Sequence, residues 1–364
     1  MTARMIGIEE ELLLIDPVTG RPCGASLPVL GQLDQAADDV LGVELQRQQL
    51  ETRTPPCSSL AELNEELRRG REVAAAAARA VGVDVAALGT SPHPVQPTPT
   101  PGDRYRRMAE RFCGFADEQL TCGCHVHVEV DSGDEGVAVL DRIRVWLPIL
   151  LALSSNSPFW QGHDTGYASF RSLVWGRWPS AGPTETFGSY AEYEAAVSAM
   201  LGTKTILDRD MIYFNCRLSR KHSTVEVRVC DVSARTEDVV LLAALTRGLV
   251  ETAAREWRTG RTPPHCRVDQ LRLASWRAAR YGLTTELVHP DTRVSAPAAA
   301  VAADLIEHVR PALVAAGDLE LAEQLLATLL ARGSGAEVQR QIHRQTGDLT
   351  AVVAHAMAVT NGRV

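Results

Sequence analysis

The chain has 364 residues, 45% apolar and 23% charged, enough to bury a sizeable core and to exclude disorder as its main state. A formal charge of −8 and a pI near 5.7 leave no global basic field for nucleic acid or an anionic membrane. The longest uncharged stretch, Val145–Gly162, is apolar only to Leu153, and the N-terminal MTARMIGIEEELLLI sets three acids where a secretory signal needs an apolar run, so a soluble, cytoplasmic protein is expected.

Met5–Ile15 reads as a strand carrying Glu9, Glu10 and Glu11, ending in a turn at Asp16-Pro17. A helix is predicted over Leu27–Leu41 and a second strand over Val43–Arg53. Ser58 caps a long helix that stops at Gly82, and Val83–Gly89 is a short strand. Ser91–Pro101 holds five prolines in eleven residues and must be an extended loop. A helix follows from Asp103 to about Asp117, and Cys122–Asp131 alternates in strand fashion. Glu135–Leu153 is helical with a kink expected near Pro148. Ser154–Thr186 is a long loop rich in Gly, Pro and Trp, of the kind that forms lids or binding loops. Tyr190–Leu201 is a helix, and Met211–Leu218 with Thr224–Val232 forms a hairpin turning at Ser219–Ser223. From about Ala234 the chain is helical to its end, in segments at Glu237–Arg258, Arg267–Arg280, Pro297–Ala315 and Leu319–Ala331 with two shorter pieces. Strands thus concentrate in residues 1–232 and helices in 233–364, with no internal repeat or interdomain linker. This is an α+β arrangement with antiparallel pairing, expected as a single domain over 1–364. The helical tail offers a surface for a homodimer.

Only two of the 37 basic residues are lysines, Lys204 and Lys221, and no GxxxxGK[ST] loop is present. Phosphate handling would fall to arginines and metal ions. The eight cysteines include no CxxC pair, so a zinc ribbon or thioredoxin-type site is not expected and reduced thiols are.

The chemistry-bearing residues sit on predicted strands. Glu9 and Glu11 share one strand face, about 7 Å apart, with Glu10 on the other. Two such carboxylates repel unless a cation lies between them, and hard divalent ions take oxygen ligands; a solvated strand edge is the alternative. His125, His127 and Glu129 likewise share a face and could converge on a metal or phosphate, or be two ordinary satisfied histidines. Glu226 and Arg228 share a face with Asp231 just beyond, as a metal ligand beside an anion-binding arginine or as a plain ion pair. Glu51 ends a strand. The loop residues Ser154–Trp160 and Asp164–Arg171 suit a pocket for a polar, charged small molecule, whereas Trp175 and Trp178 read as packing.

In this order, GIEEELLLID at 7–16, LET at 50–52, CGCHVHVEV at 122–130, SSNSPFWQGHDTGYASFRS at 154–172 and EVRVCD at 226–231 resemble the carboxylate–amine ligase family that includes the type 2 glutamate–cysteine ligases. The resemblance implies a glutamine-synthetase-like fold, whose antiparallel sheet forms a concave, metal-lined site with helices packed outside. It implies ATP and Mg²⁺, with small-molecule substrates: a carboxylate is phosphorylated to an acyl phosphate, and an amine then displaces phosphate. By that likeness Glu9, Glu11, Glu51, His125 and Glu226 hold two or three Mg²⁺ ions. Arg228 meets the transferred phosphoryl group, and His127, Asn156 and Arg171 line the substrate or nucleotide pocket. Two rival classes are a metal-dependent amidohydrolase, which also uses HxH on a strand, and a non-catalytic binding protein of the same fold.

Overall fold

The computed structural model describes residues 3–33 and 40–363. In chain order its elements begin with β1 (Ile6–Ile15), α1 (Ser26–Leu30), β2 (Leu41–Val43), β3 (Gln49–Arg53), α2 (Leu60–Ala80) and β4 (Asp84–Ala86). Next come α3 (Asp103–Phe112), α4 (Gly114–Glu118), β5 (Gly123–Glu129), α5 (Gly133–Ile143) and α6 (Leu147–Ser154). The middle of the chain holds β6 (Phe159–Trp160), β7 (His163–Asp164), α7 (Phe170–Trp175), α8 (Tyr190–Gly202), β8 (Cys216–Leu218) and β9 (Thr224–Asp231). The remainder is α9 (Thr236–Arg258), α10 (Val268–Tyr281), β10 (Glu286–Val288), β11 (Ser295–Pro297), α11 (Ala298–Ala316), α12 (Leu319–Arg332), α13 (Gly335–Thr346) and α14 (Leu349–Thr360).

Seven strands make one antiparallel sheet in the order β2-β3-β1-β5-β9-β8, with β4 also on β1. One face takes the apolar alternates Ile6, Ile8, Val126, Val128, Val225 and Val227, all buried, and α2, α5, α6 and α9 pack against that side. The same apolar core continues into α11 and α12 through Leu305, Val309 and Leu326, so the predicted α+β division is realised as two layers sharing a core. No helix among the described residues is long and apolar enough to cross a membrane.

Several local expectations shift for physical reasons. The helix predicted over 27–41 is observed at Ser26–Leu30; residues 34–39 of it lie outside the described residues, and Leu41 already belongs to β2. The strand predicted over 43–53 is interrupted, because residues 44–48 bridge β2 and β3. Pro148 does not kink a helix: it occupies the first turn of α6, where the missing N–H costs nothing. Cys113, at φ +50°, divides the helix predicted over 103–117 into α3 and α4. The long loop folds in part, as the β6–β7 hairpin and α7, and the short β10–β11 ladder was not foreseen.

The pairing of β5 with β9 carries an irregularity. Cys124 opposes Cys230 but Val126 opposes Val227, so two residues of β9, Arg228 and Val229, face one of β5. This is a β-bulge.

Candidate active site

The other face of the sheet is polar, and strand register assembles it. Glu9 opposes His125, Glu11 opposes Glu51, His127 opposes Glu226, and Glu226 opposes Arg217. Directly opposed residues on antiparallel strands share a face, so five strands, β3, β1, β5, β9 and β8, deliver these side chains to one floor. Above it lies a cleft of about 1440 Å³ lined by Glu9, Glu11, Glu44, Glu51, His125, His127, Glu226 and Arg228, among others.

At its centre, one ligand atom each of Glu9, His127 and Glu226 lies within 4.8 Å of the others. His125 Nδ1 is 3.4 Å from Glu9 Oε2 and 4.0 Å from Glu226 Oε1; His127 Nε2 is 3.6 Å from the same Glu9 oxygen. The tightest cluster therefore takes His127, which the resemblance had assigned to the substrate pocket, with His125 beside it. Glu226 is gripped from the sheet edge by Arg217, whose Nε and Nη2 donate at 2.7 and 3.2 Å, and also accepts from Arg228. Glu11 accepts from the Gly123 amide at 2.6 Å, and Glu51 pairs with Arg53.

Charge is unevenly compensated. Burial works against the charge of Glu9, but hydrogen bonds from His125 and His127 outweigh it and hold its carboxyl far below the usual range. For Glu226 burial is likewise overcome, by Arg228 and then Arg217. At Glu11, Glu44 and Glu51 burial wins and each carboxyl rises, most strongly at Glu44, where Glu51 adds its own charge. Burial, then Arg228, lowers His125 to about 4, so its imidazole is unprotonated near neutrality, the form that binds metal. Burial opposes protonation of His127 too, but Glu9 and Glu226 prevail and raise it.

These donors fit a hard divalent cation. Glu9, Glu11, Glu44, Glu51 and Glu226 converge in one cleft, and the Nε2 atom of His125 is buried there without a hydrogen-bond partner. A buried, unpaired acceptor of this kind is costly unless something else binds it.

Other expected site residues lie elsewhere. Asn156 does not line the cleft. Its Nδ2 donates to Ala87 O and Val232 O at 3.0 and 2.8 Å, and its Oδ1 accepts from Gln339 at 2.7 Å, tying the loop to α13. Arg171 is 1% exposed and fills the space over Gly123 on the same side of the sheet, 3.9 Å from Asp231, without lining the cleft itself. Glu129 does not converge with the histidines: at the exposed end of β5 it accepts from the Met5 amide at 3.3 Å. Sequence reading overlooked Glu44, Arg53 and Arg217. The signal for Arg217 was its hairpin position opposite Glu226; Glu44 follows β2 in an irregular link and gave none. The histidines a hydrolase would recruit, His265, His289, His308, His343 and His355, are absent from the cleft lining.

The fold and this acid-lined sheet are those of the glutamate–cysteine ligase type. The glutamate–cysteine ligase of Francisella tularensis, solved in complex with AMP, matches with a TM-score of 0.75 at 13% identity, over 100% of this chain and 89% of that one. In sequence, a Streptomyces coelicolor protein named as a candidate glutamate–cysteine ligase 2 is 53% identical over 353 residues, 96% of this chain and 97% of that protein. A Streptomyces avermitilis counterpart is 52% identical over 361 residues, 99% and 100% of the two chains. The chain belongs to glutamate-cysteine ligase family 2, which it matches over residues 5–355.

Proposed function

We propose that the protein is an ATP-dependent carboxylate–amine ligase of the glutamate–cysteine type, working in the cytoplasm. A donor carboxylate, the γ-carboxylate of glutamate in the reference case, attacks the γ-phosphorus of ATP and expels ADP. The resulting acyl phosphate is attacked at its acyl carbon by the amine of cysteine or a kindred acceptor, and phosphate leaves as the amide forms. The observation that carries this reading is the meeting of Glu9, His127 and Glu226 within 4.8 Å on the floor of a large cleft, with Glu11, Glu44 and Glu51 beside them. A phosphate-binding lysine loop is absent from the sequence, so neutralising a triphosphate falls to cations held by those acids and to arginines.

Mg²⁺ held by Glu9, His127 and Glu226, with His125, Glu11, Glu44 and Glu51 in reach, would neutralise phosphate charge and make the γ-phosphorus a better electrophile. Arg228 presents its guanidinium to the same cleft and donates to oxygens on which charge accumulates. Trp175 and Tyr213 line the same cleft beside Arg228. Among the described residues no serine or cysteine of the cleft is hydrogen-bonded to one of the floor's carboxylates or imidazoles, so none is set up as a nucleophile. Eight unpaired cysteines suit a reducing compartment.

The test is ADP release from the purified protein with ATP, Mg²⁺, glutamate and a panel of amines. With oxygen-18 in the donor carboxylate, label is expected in the released phosphate. Label in AMP would replace the acyl phosphate with an acyl adenylate, and no nucleotide turnover with any pair would leave a binding protein.

A further inference from the structure

Arg228 is buried, yet its guanidinium makes one side-chain hydrogen bond among the described residues, from Nη1 to Glu226, and its Nε has no partner. What holds the group is aromatic. Its Cζ lies 5.6 Å from the ring centre of Trp175 and 5.8 Å from that of Tyr213, two rings whose centres are 4.7 Å apart at 55°. Ring faces attract a guanidinium without consuming its N–H groups, which leaves those donors for an incoming anion.

On the same side of the sheet, Arg171 completes the arrangement. Its Nη2 and Nη1 approach the carbonyl oxygens of Arg228 and Val229 at 3.4 and 3.5 Å, and its Cζ lies 5.7 Å from the Trp175 ring. Gly123 makes room for it, because a Cβ at that position would overlap the Arg171 guanidinium. Asp231, fixed by Ser157, Ser169 and the Asn156 amide, supplies the opposing charge.

We infer that Trp175, Tyr213 and Arg171 are positioning residues for Arg228. The two rings seat its guanidinium with the donors facing the cleft, and Arg171, in the space left by Gly123, steadies the bulged backbone that carries it. The role in turnover rests on the ligase reading; the seat itself does not.

The experiment is a double-mutant cycle with two readouts. In steady-state ADP release, Trp175→Leu is expected to lower kcat about tenfold, the worth of a buried cation–π contact, with the KM values for ATP and donor little changed. Trp175→Phe should restore most of the rate. In an Arg228→Lys background, where a compact ammonium replaces the planar group, Trp175→Leu should cost little more. An equal fall in both backgrounds, or a change confined to the acceptor KM, would overturn the inference. Without any ligand, Arg228→Gln should alter tryptophan emission in the wild-type background but not in Trp175→Phe; equal change in both overturns the seat. Thermal melting screens each variant, and Tyr213→Leu enters the same cycle should Trp175→Leu fold poorly. If the wild type releases no ADP, the ligase reading falls alone and the emission cycle still decides the seat.

Discussion

On the helix-packed face of β1, Glu10 receives hydrogen bonds at 3.0 and 2.6 Å from Nε and Nη2 of Arg71, which also donates to Ser233 O and Ala234 O. One residue to either side, Glu9 and Glu11 turn to the cleft, where Glu44, Glu51 and Glu226 add three more carboxylates. The chain thus neutralises its structural acid completely from within, and on the opposite face it gathers acids in excess and adds arginines for only some of them. Buried charge of one sign is expensive. On the proposed reading those groups await ions arriving from outside, and the contrast separates the acid that holds the molecule together from those assigned to the reaction.

That contrast can be broken most sharply by paired amide substitutions. Glu9→Gln should lower ADP release by roughly a thousandfold, since metal stabilisation of a phosphoryl transfer is worth several kcal/mol, while the unfolding midpoint stays level. Glu10→Gln should do the reverse, losing about 3–5 kcal/mol of stability by stranding the Arg71 charge, with the surviving folded fraction still turning over. Urea unfolding beside kinetics at matched folded concentration checks both. If the two variants lose activity and stability alike, the division between faces is wrong.

A subtler form uses Glu51, whose carboxyl burial pushes upward. Glu51→Gln should stabilise the metal-free protein and shrink the stabilisation that Mg²⁺ produces, read as a rise in thermal midpoint, which for the wild type corresponds to about 2.7 kcal/mol at a hundredfold excess over Kd. A full Mg²⁺-induced rise in the variant would remove Glu51 from the ion-binding set.

Away from the sheet, Asn156→Ala should cost about 1–3 kcal/mol by leaving the carbonyls of Ala87 and Val232 without their donor and the Gln339 amide with only the backbone carbonyl of residue 156, with kcat per folded molecule near wild type. A collapse of kcat without loss of stability would return Asn156 to the reaction. The smallest effect concerns His308, stacked on Trp146 with ring centres 4.5 Å apart and lowered by burial below its usual value of 6.5. As pH falls through 6.5 the unfolded chain protonates first, so stability is lost below that pH and retained above it. His308→Asn should flatten this acid slope, measured as urea midpoints at pH 7.5 and 5.5; an unchanged slope would rule the group out.

The cleft floor was legible in the sequence wherever a strand ran uninterrupted. Alternation alone places Glu9 with Glu11, His125 with His127 and Glu226 with Arg228, and the structure brings all six to one cleft. Legibility failed where side-chain direction is set by tertiary partners. The polar loop residues read as a pocket, yet Ser157 and Ser169 turn inward to Asp231 and Asn156 turns to α13. Trp175, read as packing, does pack against the core, and its further place on the cleft wall beside Arg228 was not foreseen. Glu44 was missed because an irregular link carries no period from which to infer a face.

The bulge at Arg228–Val229 has a consequence for which residue numbers can share a surface. Glu226 and Asp231 are an odd number of positions apart, so a regular strand would send them to opposite sides of the sheet. The extra residue resets the count, so that Asp231 opposes Gly123 and lies beside Arg171, on the side that bears Glu226. It works like a leap day in a calendar: one inserted position keeps two cycles aligned. Deleting Val229 would leave every charged residue in place along the chain and still turn Asp231 towards the helices, so lineages of this fold should tolerate substitutions at 229 far more readily than a change in length there.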